Sequence, residues 1–319
     1  MMAKTWKAPQ RGEPKHSGAP RQSQDPQSRD LAVPESLEST LPAGLYVVAT
    51  PIGNARDVTL RALDVLKGVD LIAAEDTRVT SKLLTIFAIS KPMAAYNDHN
   101  GPHERPRLLA KLRQGARIAL VSDAGTPLVS DPGYKLVREA LAEGIAVHAI
   151  PGASAPLTAL TLAGLPSDRF LFAGFLPPKS AERRTWIGDL KTLRATLIFF
   201  DSPQRLAESL VDLAAVLGDR PAAVTRELTK LHEEVRRGSL KDLARHYAEA
   251  EPPKGEITLL VGPAEDSGPD FVEVDAALDQ ALAFMPVRAA VDLVSQLLKA
   301  PRRAVYDRAL AKKRDEDEG

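Results

Sequence analysis

Between residues 44 and 150 the chain alternates short, uninterrupted apolar runs with segments of helical periodicity. The runs Gly44–Thr50, Val69–Ala74, Met93–Tyr96, Arg117–Ser122 and Ala146–Ile150 are too short for buried helices, and they lack the polar–apolar alternation of a strand with one wet face. They read as strands covered on both sides. Helices are expected over 58–67, 80–88, 103–114 (ended by Gly115) and 134–143. This order of elements demands βαβ units and a mostly parallel sheet.

A second unit follows Pro151-Gly152-Ala153-Ser154. Its expected helices are 155–163, 181–193, 203–217 and 240–249. Its expected strands are 170–175, 195–200, 222–226, 233–237 and 256–261. Strands and helices alternate less regularly here, which predicts mixed pairing. The expected organisation is an extension over 1–42, α/β units over 43–152 and 153–264, and a linker with a helical segment over 265–319. The extension, with six prolines and few apolar clusters, reads as disordered.

Composition excludes several chemistries. There is no Cys, so disulfides, thiolate zinc sites and Cys nucleophiles are out. No apolar run reaches the roughly 18 residues of a membrane helix, and the polar N-terminus has no secretory core. The expectation is a cytoplasmic protein with no membrane partner. Six His without metal-like spacing predict no metal site. Signatures of P-loop, dinucleotide, zinc-protease and serine-hydrolase sites are absent. Charge balances at 42 basic and 42 acidic residues. A polyanion must therefore be met by local patches: Lys4 to Arg21, Lys179 with Arg183 and Arg184, Arg236-Arg237, and Lys299 to Arg314.

The turns after the strands carry the functional signal, because open α/β sheets bind ligands beyond the carboxyl ends of their strands. Four turns are unusual: Thr50-Pro51-Ile52-Gly53-Asn54, Glu75-Asp76-Thr77-Arg78, Ser122 through Gly133, and Pro151 through Ala155. Small residues there let backbone approach a ligand. Each turn alone is an ordinary connector, but four on one sheet edge are not.

These runs, with Phe199-Phe200-Asp201-Ser202-Pro203, Arg226-Glu227-Leu228-Thr229-Lys230 and Lys254-Gly255-Glu256, closely resemble the tetrapyrrole methylase superfamily. The likeness spans about residues 44–263 and is strongest to members that modify RNA of the small ribosomal subunit. It implies two α/β domains of the tetrapyrrole methylase type with a cofactor cleft between them, plus a small C-terminal helical segment. It implies transfer of a methyl group from S-adenosylmethionine to a ribose 2′-hydroxyl of a cytidine in 16S rRNA, by a homodimer. Phe200 and Asp201 stand where the family pattern has Tyr and Glu.

Carried onto this sequence, the resemblance lines the cofactor site with Thr50, Pro51, Ile52, Gly53, Asp123, Ala124, Gly125, Thr126, Pro127, Ser154 and Ala155, with Phe200, Glu227 and Glu256 from the second unit. The acceptor hydroxyl must lose a proton, and Glu75, Asp76 and His99 are candidate bases. Arg78 and Lys230 are candidates to hold a phosphate. One of Glu75 and Asp76 also fits as the cap of the helix that follows. Two other classes share these features: a superfamily member acting on a tetrapyrrole or a modified His, and a non-enzymatic RNA-binding protein. A tetrapyrrole enzyme is expected to carry Gly-Pro-Gly-Asp after the first strand, where this chain has Pro51-Ile52-Gly53-Asn54.

Overall fold

The first unit builds one five-stranded sheet from β1 (Gly44–Val48), β2 (Leu71–Ala74), β3 (Met93–Ala95), β4 (Arg117–Val121) and β5 (Val147–Ile150), in the order β3-β2-β4-β1-β5 and parallel throughout. The coordinates are a computed structural model that describes residues 41–264 and 271–318. Most of the N-terminal extension, with the basic run Lys4 to Arg21, and most of the linker lie outside the described residues.

The continuous apolar character of the strands has the expected cause. Along β1, Tyr46 and Val48 pack against α1 (Leu60–Gly68) and α2 (Thr77–Ile86), while Leu45 packs on the opposite face against α3 (Gly101–Arg113) and α4 (Tyr134–Ala142). After β2 the chain turns toward β3, and after β4 it crosses toward β5 on the other side. The carboxyl ends of β2 and β4 therefore diverge, and a crevice opens between neighbouring strands at that point.

The second unit forms a mixed sheet from β6 (Phe170–Phe175), β7 (Thr196–Asp201), β8 (Pro221–Arg226), β9 (Glu234–Ser239) and β10 (Ile257–Val261), in the order β6-β7-β10-β8-β9. Only β6 and β7 are parallel. Helices α6 (Ser180–Gly188), α7 (Leu206–Leu217) and α8 (Leu240–Glu249) cover one face, and α5 (Ala155–Ala163) covers the other. Ile52, from the first unit, is buried in the α5-side cluster with Ile198, Ala223, Leu228 and Leu260. The turn after β1 thus plugs the two units together. Helices α9 (Phe271–Leu282), α10 (Val287–Leu297) and α11 (Arg302–Glu318) close around Val274, Val291, Val294 and Val305. Among the described residues no helix is long and apolar enough to cross a membrane.

Several boundaries differ from expectation, among them those of α2 and α6. Helix α2 begins at Thr77, three residues early, because Asp76 accepts from the Arg78 backbone and caps it. Helix α6 stops at Gly188, not Leu193, and the chain turns through Asp189–Lys191.

Three of the four basic patches are largely spent internally. Arg183 is wholly buried, with NH2 at 2.7 Å from Asp212. Arg236 pairs with Glu234, and Arg237 donates to the Leu162 carbonyl. In the third, Arg302, Arg308 and Lys312 meet Asp292, Asp275 and Asp279 on α9 and α10. A count along the chain cannot see acids supplied by another helix. Lys299, Arg303 and Lys313 remain exposed on this segment, and the Arg314 side chain lies outside the described residues.

Candidate functional site

The crevice is built from the unusual turns. Thr50 and Gly125 form an isolated antiparallel bridge, with N–H···O distances of 2.8 and 3.0 Å, that clips the turn after β1 to the turn after β4. Gly125 has φ +81°, and a Cβ there would lie 3.2 Å from the Ile52 side chain. The Thr50 hydroxyl donates to the Ser122 carbonyl at 3.2 Å. Thr126 donates to the Ala153 carbonyl at 3.0 Å, so the turn after β5 is tied in as well.

Gly53 has a different reason to be small. A Cβ on it would sit 2.5 Å from Lys230 Cγ, 2.8 Å from Thr229 Oγ1 and 2.9 Å from the Leu228 carbonyl oxygen. Here the close approach is by protein: the turn after β8 packs directly on the turn after β1. Replacing Gly53 with Ala is expected to force this junction apart and cost about 1–3 kcal/mol. Urea denaturation of the variant, against a Gly188→Ala variant whose Cβ meets open space at a glycine without a positive φ, separates crowding from mere loss of glycine.

Two cavities flank this junction. An enclosed one of about 290 Å³ lies between the units, walled by Ile52, Ala124, Ser130 and Asp131 from the first and by Ala155, Phe175, Phe200, Asp201, Leu228 and Glu256 among others from the second. A more open one of about 280 Å³ is lined by Thr50, Pro51, Ile52, Gly53, Asp123, Ala124, Lys230 and Glu256, with Val79 and Thr80 of α2. Ile52, Ala124 and Glu256 border both. Of the residues expected to hold a cofactor, Gly125, Thr126, Pro127, Ser154 and Glu227 line neither cavity. The first three shape the turn that does, and Ser154 precedes α5.

Glu227 is held by Lys230 and by its own strained backbone. Its φ is +51°, and its Oε1 accepts from Lys230 Nζ at 2.8 Å and from the Glu256 backbone at 3.0 Å. Lys230 Nζ also donates to Glu256 at 3.1 Å. Burial works against the Lys230 charge, but the two carboxylates outweigh it and raise its pKa. Lys230 is therefore engaged between two acids.

At the ends of β2 and β4, four acids converge. The Asp76 backbone donates to Asp123 Oδ1 at 3.0 Å, and the Asp123 backbone donates to Glu75 Oε2 at 3.3 Å. Asp76 is gripped by Arg78, whose Nε and NH2 reach both carboxylate oxygens at 2.5–3.1 Å, and its pKa is lowered to about 2 by that hydrogen bonding. As N-cap and ion-pair partner it is a poor proton acceptor. Glu75 and Asp123 are raised, chiefly by burial. Asp131 goes furthest, to about 6, through burial first and then through the like charges of Glu75 and Asp123, although a bond with the Ser122 side chain works the other way. Among the described residues no group of three or more His or acidic side chains is arranged to hold a metal ion.

Asp131 also lines an outer hollow with Tyr96, Asn97, Asp98, Arg105, Tyr134 and Lys135. It alone borders both this polar hollow and the enclosed cavity. The sequence run containing Asp131 was conspicuous, but nothing in it separates Asp131 from Asp123. Only the crossing of β4 to α4, with Leu128 and Ser130 at φ +74° and +64°, swings Asp131 back to the cavity. His99 is exposed and lines none of these cavities; its backbone N–H is bonded to Asn97 Oδ1. The structure brings Glu75, Asp76, Arg78 and Asp123 together and leaves the His99 ring apart from them.

A family model described as Tetrapyrrole (Corrin/Porphyrin) Methylases matches residues 44–244, and one described as RsmI C-terminal HTH domain matches 268–313. A relative from Mesorhizobium japonicum named Ribosomal RNA small subunit methyltransferase I is 51% identical, covering 88% of this chain and 95% of its own. A relative of the same name from Escherichia coli O157:H7 is 46% identical over 83% and 94%. Among solved structures, uroporphyrin-III-C-methyltransferase from Thermus thermophilus superposes with a TM-score of 0.51 at 23% identity, covering 69% of this chain and 94% of that one. Diphthine synthase gives 0.52 at 16% identity, covering 68% and 89%. These two likenesses concern the fold.

Proposed function

This chain belongs to the tetrapyrrole methylase family, on the branch of ribosomal RNA small subunit methyltransferase I, and from that premise we propose that it methylates the ribose 2′-hydroxyl of a cytidine in 16S rRNA. It is an S-adenosylmethionine-dependent rRNA methyltransferase, and the cofactor supplies an activated methyl group on a sulfonium. The enclosed cavity fits such a group: aromatic and aliphatic walls suit a nucleoside, and few polar groups interrupt them. Ile52, Ala124, Ala155 and Phe200 would hold it, with the Asp123–Pro127 turn facing the sulfonium end through backbone and small side chains.

The observation that carries the mechanism is the position of Asp131 between the enclosed cavity and the outer polar hollow. An acceptor ribose entering from the hollow, past Arg105 and Lys135, meets this carboxylate before it meets the cavity. Asp131 then takes the hydroxyl proton as the oxygen becomes the nucleophile. A base whose pKa lies near neutrality is matched to that task. Glu75 and Asp123 contribute by keeping the Asp131 proton affinity high. Arg78, exposed beside the cluster, is placed to meet RNA phosphate while orienting Asp76. Much of the remaining rate would come from holding oxygen and methyl in line.

A labelled transfer assay with isolated small subunits, naked 16S rRNA and no RNA, followed by nucleoside analysis, tests the reading. The expected product is 2′-O-methylcytidine. A methyl group on a base, or transfer without RNA, overturns the acceptor assignment. The homodimer belongs to the same proposal, and equilibrium sedimentation tests it.

A further inference from the structure

The outer hollow carries an exposed ring and an exposed acid that the fold does not use. Tyr134 opens α4, lines the hollow and is 63% exposed. Arg138, one turn along, holds its guanidinium 5.7 Å from the ring centroid, and among the described residues no other aromatic ring meets Tyr134. Asp98, in the turn between β3 and α3, lines the same hollow and is exposed. Among the described residues its carboxylate has no hydrogen bond or ion pair. Its charge still reaches Tyr96 of the hollow and Glu75 of the acidic cluster, so the carboxylate lies on the side of the site. Other polar groups there are already engaged: Asn97 Oδ1 accepts from the His99 and Asn100 backbone, and Arg105 pairs with Glu139 at 2.9 Å.

The methyl acceptor dictates what else must lie there. When a ribose 2′-hydroxyl sits at Asp131, the base hangs on the adjacent carbon of the same sugar. The enclosed cavity is taken by the cofactor, so the base stays in the hollow. A base drawn out of an RNA stack loses its neighbours, and proteins replace them with aromatic side chains and with hydrogen bonds to its Watson–Crick edge. Tyr134 offers the ring. An ionised carboxylate can only accept, so Asp98 calls for a donor on the base edge. Cytosine presents its N4 amine there, where uracil presents a carbonyl oxygen.

We propose that the outer hollow is the base subsite, in which Tyr134 stacks on the target pyrimidine and Asp98 accepts from the cytosine N4 amine, selecting cytidine over uridine. This deepens the methyltransferase reading above and rests on it. Both side chains are open to solvent, so the base reaches them without any opening of the core. Lys135, exposed on the same hollow, is left for the adjoining phosphate.

The test is methyl transfer by the full chain to 16S rRNA carrying cytidine or uridine at the methylated position, in the form of the small subunit that the transfer assay finds active. The wild-type protein is expected to prefer cytidine by roughly 10- to 100-fold in kcat/KM, as one charge-assisted hydrogen bond provides. Asp98→Asn supplies an amide donor that can meet the uracil oxygen, so the preference is expected to shrink about tenfold. Tyr134→Leu should lower kcat/KM for the cytidine substrate by about 5- to 100-fold, and Tyr134→Phe should retain it, because stacking needs a ring and not merely an apolar side chain. Affinity for S-adenosylhomocysteine, measured by calorimetry, should be the same in all three variants. Equal wild-type transfer to cytidine and uridine overturns the inference and needs no variant to fold. So does an Asp98→Asn protein with an undiminished preference, or a Tyr134→Leu protein as active as Tyr134→Phe. Absence of a 2′-O-methyl product from either RNA overturns the methyltransferase reading together with this one, whereas equal transfer to both leaves that reading standing.

Discussion

Replacing Asp131 with Asn should lower kcat by about 10²–10⁴, the usual contribution of a positioned base, while leaving cofactor affinity nearly unchanged. The side chain keeps its size and can still bond Ser122, so the loss would be chemical and not architectural. The pH dependence gives a second readout. In the wild type only the ionised carboxylate accepts the proton, so kcat should rise with pH up to about 6 and level off above it. The variant should lose that step. Stability runs the other way. The folded-state pKa lies above the unfolded value near 3.8, so folding favours the protonated form. The associated stability is complete below about pH 3.8 and is lost as pH rises through about 6. Asn cannot ionise, so urea denaturation of the variant should show a flatter profile and greater stability than wild type at pH 8. An Asp131→Asn protein with wild-type turnover would remove Asp131 from the mechanism, and Glu75→Gln would be the next variant to assay.

The largest stability loss is expected far from the crevice, at Arg183. This guanidinium is wholly buried, its Nε donates to Asp212 Oδ2 at 2.8 Å, and NH1 donates to the carbonyls of Pro177 and Pro178 at 3.1 Å. Removing one partner of such a pair strands the other charge, at roughly 3–5 kcal/mol. Arg183→Met should therefore shift the urea midpoint strongly. Adding Asp212→Leu should recover much of the loss, because no buried charge then remains unpaired. The same variants bear on RNA contact. A structural Arg183 predicts that folded Arg183→Met protein binds 16S rRNA with an unchanged salt dependence. A reduced salt slope would place the side chain against phosphate instead.

Arg183 also shows where reading along the chain stops. Lys179, Arg183 and Arg184 look like a basic patch because their acidic partner is about thirty positions away on α7. Long-range pairing is a property of packing, and local charge counts carry no trace of it. The same holds for Arg308 and Lys312, which meet acids of α9. Gly53 was legible as a required small residue, but the close approach of the Leu228–Lys230 turn to it was not.

What the sequence determined by itself was the parallel sheet, the mixed pairing of the second unit, the four turns that gather at one sheet edge, and the family to which those turns belong. Each of these is local: apolar runs too short for helices, turn residues at fixed offsets and contiguous motifs. Only the tertiary structure decided which residues within those motifs face the cavities. It turned Asp131 to the boundary between the enclosed cavity and the outer hollow, spent Asp76 on Arg78 and on capping α2, and locked Lys230 between Glu227 and Glu256. The physical reason is that proton affinity and hydrogen-bond demand depend on burial and on neighbours in space. Those neighbours come from strands and turns that the chain brings together only by folding.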